Sequence, residues 1–252
     1  MFAPSPEILL VTPVWNDSAR LAGFGTELAQ ALANSPLPIH WIIADDGSTQ
    51  HEHRQLKELQ AAFSQIFPKV QLHFAAQHHG KGAVVREAWS LRPEAAWLAF
   101  VDADGSVTPR EMLRLIDTAM AAEISTLGIR KLTHTTQFVE SRWRGIFHRG
   151  FLLAAHLLLD LQCEDPQCGA KILRGTHYRR IAHGLSENGL AFDSELLCAL
   201  KRDGATWSEI PVTWIQKPGS KVRPLHDAWG VFKALLRIRK RLRQWVAAGA
   251  RS

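Results

Sequence analysis

The fold class is indicated most clearly by residues 97–105, which read WLAFVDADG. The first five residues are bulky and apolar, which is typical of a buried β-strand. Two carboxylates, Asp102 and Asp104, follow this strand closely, and Gly105 permits a sharp turn of the backbone beside them. The stretch therefore predicts a core strand that ends in a polar site.

Upstream of this stretch, three more apolar runs alternate with three helical patterns. The strands are predicted over residues 8–12, 39–44 and 70–75, and the helices over residues 20–33, 51–67 and 80–89. Pro13 is expected to stop the first strand. Downstream, a further helix is predicted from Thr108, with Pro109 at its first turn. The alternation predicts an α/β fold with a Rossmann-like, mostly parallel sheet and helices on both faces.

Beyond residue 125 the order of elements is less regular. Helices are predicted over residues 141–161, 192–201 and 227–246, and one or two strands over residues 206–215. Hydrophobic residues make up 46% of the 252-residue chain, which suffices for one sizeable core.

The formal net charge of +6 is concentrated near the C-terminus. Residues 216–252 carry ten Lys or Arg and one acid, a net charge of +9, whereas the other 215 residues carry twenty basic and twenty-three acidic residues, a net charge of −3. Such a segment suits nucleic acid or an anionic membrane surface.

As a helix, this C-terminal segment is amphipathic. Its apolar side would carry Val231, Leu235, Ile238, Leu242 and Trp245. A basic amphipathic helix can lie flat on an anionic bilayer, and the alternative is that it docks on the core or on a partner. The helix at 141–161, with Trp143, Phe147 and Phe151, is expected to share either role.

Targeting and cysteine patterns favour a cytoplasmic protein. Residues 1–6 lack the features of a signal peptide. The longest apolar stretch, residues 150–159, is about half the length that a spanning helix needs. The three cysteines form no CxxC pair, which fits a reducing compartment and no structural zinc site.

Polar clusters follow three predicted strands, at residues 13–17, 45–49 and 102–105. Open α/β sheets bind ligands beyond the carboxyl ends of their strands, although any one cluster alone fits a turn or helix cap. Residues two apart in an extended segment point to the same side, so Asp102 and Asp104 predict a site for Mg²⁺ or Mn²⁺.

The sequence Gly80-Lys81-Gly82 precedes a predicted helix. Backbone amides at a helix N-terminus bind phosphate, so Lys81 is a candidate donor-binding residue. The spacing is not that of a complete P-loop, and an ordinary glycine-rich turn is the alternative.

Together these clusters resemble the family-2 glycosyltransferases of the GT-A fold. The sequences TPVWND (12–17), DDGST (45–49) and DADG (102–105) carry the resemblance. Downstream, DPQCGAK (165–171), FDSELL (192–197), IPVTW (210–214) and GSK (219–221) resemble the dolichyl- and polyprenyl-phosphate glucosyltransferase and mannosyltransferase branch. The resemblance runs in order over roughly residues 8–240.

The resemblance implies roles for individual residues. The nucleotide-sugar donor, of the UDP-glucose or GDP-mannose type, would be bound by Pro13, Trp15, Asp17, Asp46, Gly47, Lys81, Asp102 and Gln167. The metal would be held by Asp102 and Asp104, and the residues nearest the chemistry would be Asp104, Asp165, Arg142 and Lys221.

The expected reaction is an inverting transfer of a hexose, with glucose as the best match, to a polyprenyl phosphate. Arg130, Arg142 and Arg144 are candidates to hold the acceptor phosphate, and a solvated basic face is the alternative. A saccharide hydroxyl in cell-surface polysaccharide synthesis is the alternative acceptor, for which Asp165 would be the base. A nucleotide-binding protein without catalysis is the remaining alternative.

The expected organisation is a GT-A domain over residues 1–215, followed by a membrane-surface helix within 216–252. A lipid acceptor favours an anionic membrane as the partner of this segment rather than nucleic acid. The protein is therefore expected to lie on the cytoplasmic face of a membrane.

Overall fold

The computed structural model describes residues 7–139, 142–217 and 224–249. Its first half alternates strand and helix in the order β1 (Ile8–Val14), α1 (Ser18–Ala33), β2 (Ile39–Asp45), α2 (Gln50–Ile66), β3 (Val70–Phe74), α3 (Lys81–Ser90), β4 (Trp97–Val101) and α4 (Pro109–Ala122). Every element predicted for this half is present, with ends displaced by at most two residues.

Pro13 does not end β1, contrary to the sequence prediction. The strand continues to Val14 and pairs with β2 along its whole length, whereas its pairing with β4 stops at Val11. Proline has no backbone N–H to donate. Because Pro13 lies beyond the pairing with β4, its missing N–H removes no bond to that strand.

The second half contains β5 (Ser125–Arg130), β6 (Phe138–Val139), α5 (Arg142–Leu159), β7 (Ala170–Arg174), α6 (Gly175–Ile181), a short 3₁₀ helix (Ala182–Gly184), α7 (Phe192–Arg202), β8 (Trp207–Val212), β9 (Trp214–Ile215) and α8 (Pro224–Gly249). The predicted helices correspond to α5, α7 and α8. No predicted element corresponds to β5, β6, β7 or α6.

Seven strands form the main sheet, in the order β3-β2-β1-β4-β7-β5-β8. Strand β7 runs antiparallel to β4 and β5, and the other pairs are parallel. This confirms the mostly parallel α/β sheet. The carboxyl ends of β1, β2 and β4 meet at one edge, where the predicted site residues follow.

Two hydrophobic clusters cover the two faces of the sheet. Alternate residues of β1 enter different clusters: Ile8 and Leu10 join α1, α2 and α4 on one face, and Leu9 and Val11 join α3, α6, α7 and α8 on the other. This alternation follows from the period-two geometry of a strand. Helices therefore cover both faces, as predicted.

Helix α8 packs on the core through the apolar side that was predicted to lie on a bilayer. Leu235, Ile238 and Leu242 are buried and belong to the same cluster as Leu9 of β1. The prediction for this face is therefore wrong, because an apolar stripe fits a protein core as well as a membrane. The side chain of Trp245 lies outside the described residues. Because these α8 residues share a hydrophobic cluster with strands and helices that precede residue 215, the expected domain boundary at 215 does not separate two cores.

The cysteine thiols are shielded from solvent. Cys168 and Cys198 are buried, Cys163 is half-buried, and all three are free. Burial raises the pKa of each thiol to about 12. Among the described residues, no helix combines the length and apolar character needed to span a bilayer.

Candidate functional site

The loops that follow β1 and β2 are joined by hydrogen bonds. The amide of Asn16 donates to Ser48 Oγ at 2.7 Å, and the amide of Thr49 donates to Asn16 Oδ1 at 2.9 Å. Gly47 has a φ of +66°, and a Cβ there would lie 2.4 Å from backbone atoms of Gln77 and His78. Residues 13–17, 45–49 and 77–78 therefore form one surface.

Asp46 organises the segment that precedes α3. Its buried carboxylate accepts hydrogen bonds from the amides of His79 and Gly80 at 2.9 and 2.8 Å. The ring of His78 lies 2.8 Å from the same carboxylate and stacks on Trp15, with 4.1 Å between ring centroids. Trp15 is 39% exposed and offers an aromatic surface at this edge of the sheet.

A cluster of alternating charges, open to solvent at Asp102, lies at the end of β4. Lys81 Nζ lies 2.8 Å from Asp102 Oδ1 and 3.5 Å from Asp193 Oδ2, and Lys171 Nζ lies 2.8 Å from Asp193 Oδ1. Burial alone would lower the pKa of Lys81, but Asp102 and Asp193 raise it above the usual lysine value. Lys81 is therefore a fixed positive charge between two carboxylates.

Asp104 and Asp17 are connected through Arg20. Arg20 Nε donates to both carboxylate oxygens of Asp17 at 2.9 and 2.8 Å, Nη2 also donates to Asp17 Oδ2, and Nη1 lies 3.7 Å from Asp104 Oδ2. The other oxygen of Asp104 accepts a hydrogen bond from the amide of Ser106 at 2.8 Å. Arg20 thus holds Asp17, a predicted donor-binding residue, and lies close to Asp104, a predicted metal ligand.

The two carboxylates at the end of β4 fit a divalent cation. Both are partly exposed, at 40% of the side chain for Asp102 and 27% for Asp104. Burial raises the pKa of Asp102, Lys81 opposes this rise, and Asp104 adds to it. A cation beside both oxygens would relieve that repulsion. The described ranges contain no group of three or more His, Cys, Asp or Glu that could hold a metal.

Asp165 is bound tightly to Arg130. The Nε and Nη2 atoms of Arg130 donate to Asp165 at 2.7 and 2.8 Å, and its backbone amide donates at 3.0 Å. Both side chains are at least 94% buried. Arg130 is therefore not part of a solvated basic face. Of the two roles expected for Asp165, the geometry favours positioning over proton abstraction, because three donors already occupy its carboxylate.

The segment 165–169 lies against the carboxylate pair. The amide of Asp102 donates to the carbonyl of Gly169 at 2.9 Å, and a Cβ on Gly169 would lie 2.0 Å from Asp102 Oδ2. Gln167 is half-buried in this segment, and Pro13 is half-buried in β1. The predicted donor residues and Asp165 thus lie in adjoining segments at one edge of the sheet.

Some predicted residues cannot be placed at the level of side chains. Lys221 lies outside the described residues. Arg142 is the first residue of α5, but its side chain and that of Arg144 also lie outside the description. Their predicted contacts with phosphate and acceptor remain predictions.

Four residues of the site had no assigned role in the sequence predictions: Arg20, His78, Lys171 and Asp193. One local signal was available for Lys171, which is a charged residue between the apolar residues Ala170 and Ile172 and is fully buried. A lysine in such a place needs a buried acid nearby. No local signal identifies Asp193 as that acid, because the pair is formed between β7 and α7.

Comparison with known proteins agrees with this geometry. The family model described as Glycosyl transferase family 2 matches residues 10–169. This range includes the loops after β1, β2 and β4 and ends at Gly169, next to Asp102.

Curated relatives align over nearly the whole chain. The dolichyl-phosphate β-glucosyltransferase of Saccharomyces cerevisiae is 27% identical over 246 residues, which cover 91% of this chain and 73% of that protein. The polyprenol monophosphomannose synthase of Mycolicibacterium smegmatis is 23% identical, covering 94% of this chain and 91% of that protein.

Two solved structures illustrate the shared fold. Glucosyl-3-phosphoglycerate synthase from Mycobacterium tuberculosis, solved with Mn²⁺, UDP and glucosyl-3-phosphoglycerate, aligns with a TM-score of 0.65 at 13% identity, over 92% of this chain and 78% of that one. Mannosyl-3-phosphoglycerate synthase from Rubrobacter xylanophilus aligns with a TM-score of 0.69 at 15% identity, over 96% and 75%. These similarities confirm the GT-A fold.

Proposed function

Because this chain belongs to glycosyl transferase family 2, we propose that it transfers a hexose, with glucose expected, from a nucleotide sugar to a polyprenyl phosphate. The observation that carries the proposal is the meeting of Asp102 and Asp104 with the loops after β1 and β2 at one sheet edge. The relatives are named for dolichyl-phosphate glucosyl transfer and polyprenol phosphomannose synthesis, which supports this acceptor class.

The donor half of the site would work by placing charge near the departing nucleotide. Mg²⁺ or Mn²⁺ held by Asp102 and Asp104 would supply Lewis-acid stabilisation of the diphosphate. Trp15 presents an aromatic face for the base, and Lys81 holds Asp102 in place. Arg20 fixes Asp17 and approaches Asp104, so the carboxylates keep their geometry before donor binds.

The state of Asp165 supports a phosphate acceptor over a hydroxyl acceptor. A phosphate monoester has a second pKa near 6, so it is largely ionised at pH 7 and needs no general base. A hydroxyl would need one. Asp165 is already occupied by Arg130 and is suited to fixing the acceptor side of the site.

A direct assay tests the proposal. Purified protein is incubated with Mn²⁺ or Mg²⁺, a radiolabelled nucleotide sugar and a polyprenyl phosphate, and we expect label to enter the organic phase as a glycolipid. A panel of UDP-glucose and GDP-mannose identifies the donor. Transfer to an oligosaccharide without transfer to lipid would establish the alternative hydroxyl acceptor. Absence of transfer to either acceptor would show that the proposal is wrong.

The same proposal places the protein on the cytoplasmic face of a membrane, through residues other than those first predicted. Exposed apolar side chains, 37% to 68% accessible, lie on α5 and α8: Leu153, Leu157, Trp229, Phe232 and Leu236. Exposed basic residues on α8 accompany them: Lys233, Lys240 and Arg243. Apolar and basic groups together suit an anionic leaflet, and α8 packs beside α5.

Vesicle binding tests this surface. The double substitution Trp229→Ser/Leu236→Ser should weaken binding to vesicles containing 30% phosphatidylglycerol at least tenfold, since each buried side chain contributes about 2 kcal/mol. Leu91→Ser, at another exposed leucine of 52% accessibility, is the matched control and should bind as wild type. Equal binding by the double variant and the control in a flotation assay would exclude this face.

A further inference from the structure

Two arginines of helix α8 bind two buried carboxylates that belong to other segments, Glu187 and Glu195. Arg237 forms a two-pronged pair with Glu187, with distances of 3.1 and 2.9 Å, and Arg241 Nη2 lies 2.7 Å from both Glu187 and Glu195. The two carboxylates are at most 7% exposed. Burial alone would raise the pKa of Glu187, but the hydrogen bonds from Arg237 and Arg241 lower it below its usual value. Both arginines are therefore ion-paired with buried carboxylates, although the Arg237 side chain itself is 56% exposed.

The segment that carries Glu187 is itself rigidly held. Glu195 Oε2 accepts hydrogen bonds from the amides of Ser186 and Glu187 at 2.9 and 2.7 Å. On the opposite side, Arg86 donates to the carbonyl of Glu187 at 2.7 Å and to Asn188 Oδ1 at 2.5 Å. Residues 186–188 are thus clamped between α8 and α7 on one side and α3 on the other.

The same segment contacts the turn Gly80-Lys81-Gly82. The amide of Gly82 donates to the carbonyl of Asn188 at 2.6 Å. A Cβ on Gly80 would lie 2.5 Å from that carbonyl oxygen, and a Cβ on Gly82 would lie 2.7 Å from the carbonyl oxygen of Glu187. The close approach therefore depends on both glycines, and any shift of residues 186–188 displaces the turn.

The turn at residues 80–82 also contacts two predicted donor-binding carboxylates, Asp46 and Asp102. The amide of Gly80 donates to Asp46 at 2.8 Å, and Lys81 Nζ lies 2.8 Å from Asp102. A continuous series of contacts therefore runs from the arginines of α8, through Glu187, to Asp46 and Asp102.

We propose that Glu187 is a positioning residue for donor binding, through which Arg237 and Arg241 set the geometry of the turn 80–82 without contacting the donor. This inference rests on the proposed function, because it requires that the turn and its two carboxylates form the donor site. It distinguishes Arg237 and Arg241, which support the donor site, from other exposed basic residues of α8 such as Lys233, Lys240 and Arg243.

Nucleotide binding without any acceptor tests the inference. Dissociation constants of UDP and of GDP are measured by calorimetry with Mn²⁺ for wild type, Glu187→Gln, Arg237→Met and Arg86→Lys. We expect the constant for the preferred nucleotide to rise about tenfold in each variant. Arg202→Met is the matched control, because Arg202 also anchors α8, by a hydrogen bond to the carbonyl of Leu242, without contacting residues 186–188. It should bind as wild type.

Steady-state kinetics separate positioning from loss of folded protein. The KM for the nucleotide sugar should rise by the same factor while the KM for polyprenyl phosphate and kcat stay within twofold. Glu187→Gln keeps side-chain size and Arg86→Lys keeps the positive charge, so at least one folded variant is expected even if Arg237→Met unfolds. If folded Glu187→Gln and Arg86→Lys bound the nucleotide with wild-type affinity, this inference would be wrong and the proposed function would stand. If wild type bound neither nucleotide, the proposed function would fail, and this inference with it.

Discussion

The variant Asp104→Asn should retain its fold and lose about three orders of magnitude in kcat/KM. Asparagine keeps an oxygen that can accept the hydrogen bond from the Ser106 amide, so the turn after β4 is preserved. What is lost is one negative ligand of the proposed metal. Lewis-acid stabilisation contributes several kcal/mol, and about 1.4 kcal/mol corresponds to a tenfold change in rate.

Binding of Mn²⁺ in the presence of UDP, measured by electron paramagnetic resonance, should weaken in parallel with activity. Asp117→Asn, at an exposed position of α4, makes the same chemical change away from the site and should behave as wild type. Excess EDTA should abolish wild-type activity, and added Mn²⁺ or Mg²⁺ should restore it. A folded Asp104→Asn protein with more than a tenth of wild-type activity would contradict the assignment of Asp104 as a ligand.

The first half of the fold and the meeting of the three polar clusters at one sheet edge could be predicted because their signals are local. Each apolar run is followed at once by its polar cluster, as at Val101 and Asp102, so sequence order and spatial order coincide. In a parallel sheet, successive strand ends meet at one edge. Once the strands were predicted, it followed that the polar clusters after them would lie close together at the carboxyl edge of the sheet.

The second half depends on contacts between distant segments, which no local pattern records. Strand β7 lies antiparallel between β4 and β5. Its Lys171 forms an ion pair with Asp193 on α7. Helix α8 has an apolar stripe that suits either a bilayer or a core, and only its packing on the core resolves the choice. The pairing of Arg237 with Glu187 likewise joins residues 50 positions apart.

These long-range contacts change how the basic C-terminal segment is understood. The charge of residues 216–252 alone predicts that this segment binds an anionic surface. In the fold, Arg237 and Arg241 are neutralised by buried carboxylates that also hold residues 186–188, whereas Lys233 and Lys240 remain at the surface. The two proposals therefore give membrane attachment and support of the donor site to different faces of one helix.

The variant Gly169→Ala should lose about a hundredfold in turnover, although only one methyl group is added. The new Cβ would lie 2.0 Å from Asp102 Oδ2 and 2.4 Å from its Cγ, so the carboxylate must move. Its movement is opposed by the ion pair with Lys81, and the backbone of Gly169 is held by its hydrogen bond to the Asp102 amide. A displacement of about 1 Å in a positioning group can cost about a hundredfold in rate.

The protein should stay folded, with its free energy of unfolding lowered by about 1–3 kcal/mol, as is usual for one overpacked methyl group. Gly23→Ala is the matched control, because a Cβ there meets nothing within 4 Å on the exposed side of α1. It should keep full activity and gain up to about 1 kcal/mol, since alanine favours helix over glycine. Full activity and unchanged Mn²⁺ affinity in Gly169→Ala would show that Asp102 tolerates displacement. The metal would then depend on Asp104 and the donor, and the close packing of residues 165–169 on β4 would serve the fold rather than the reaction.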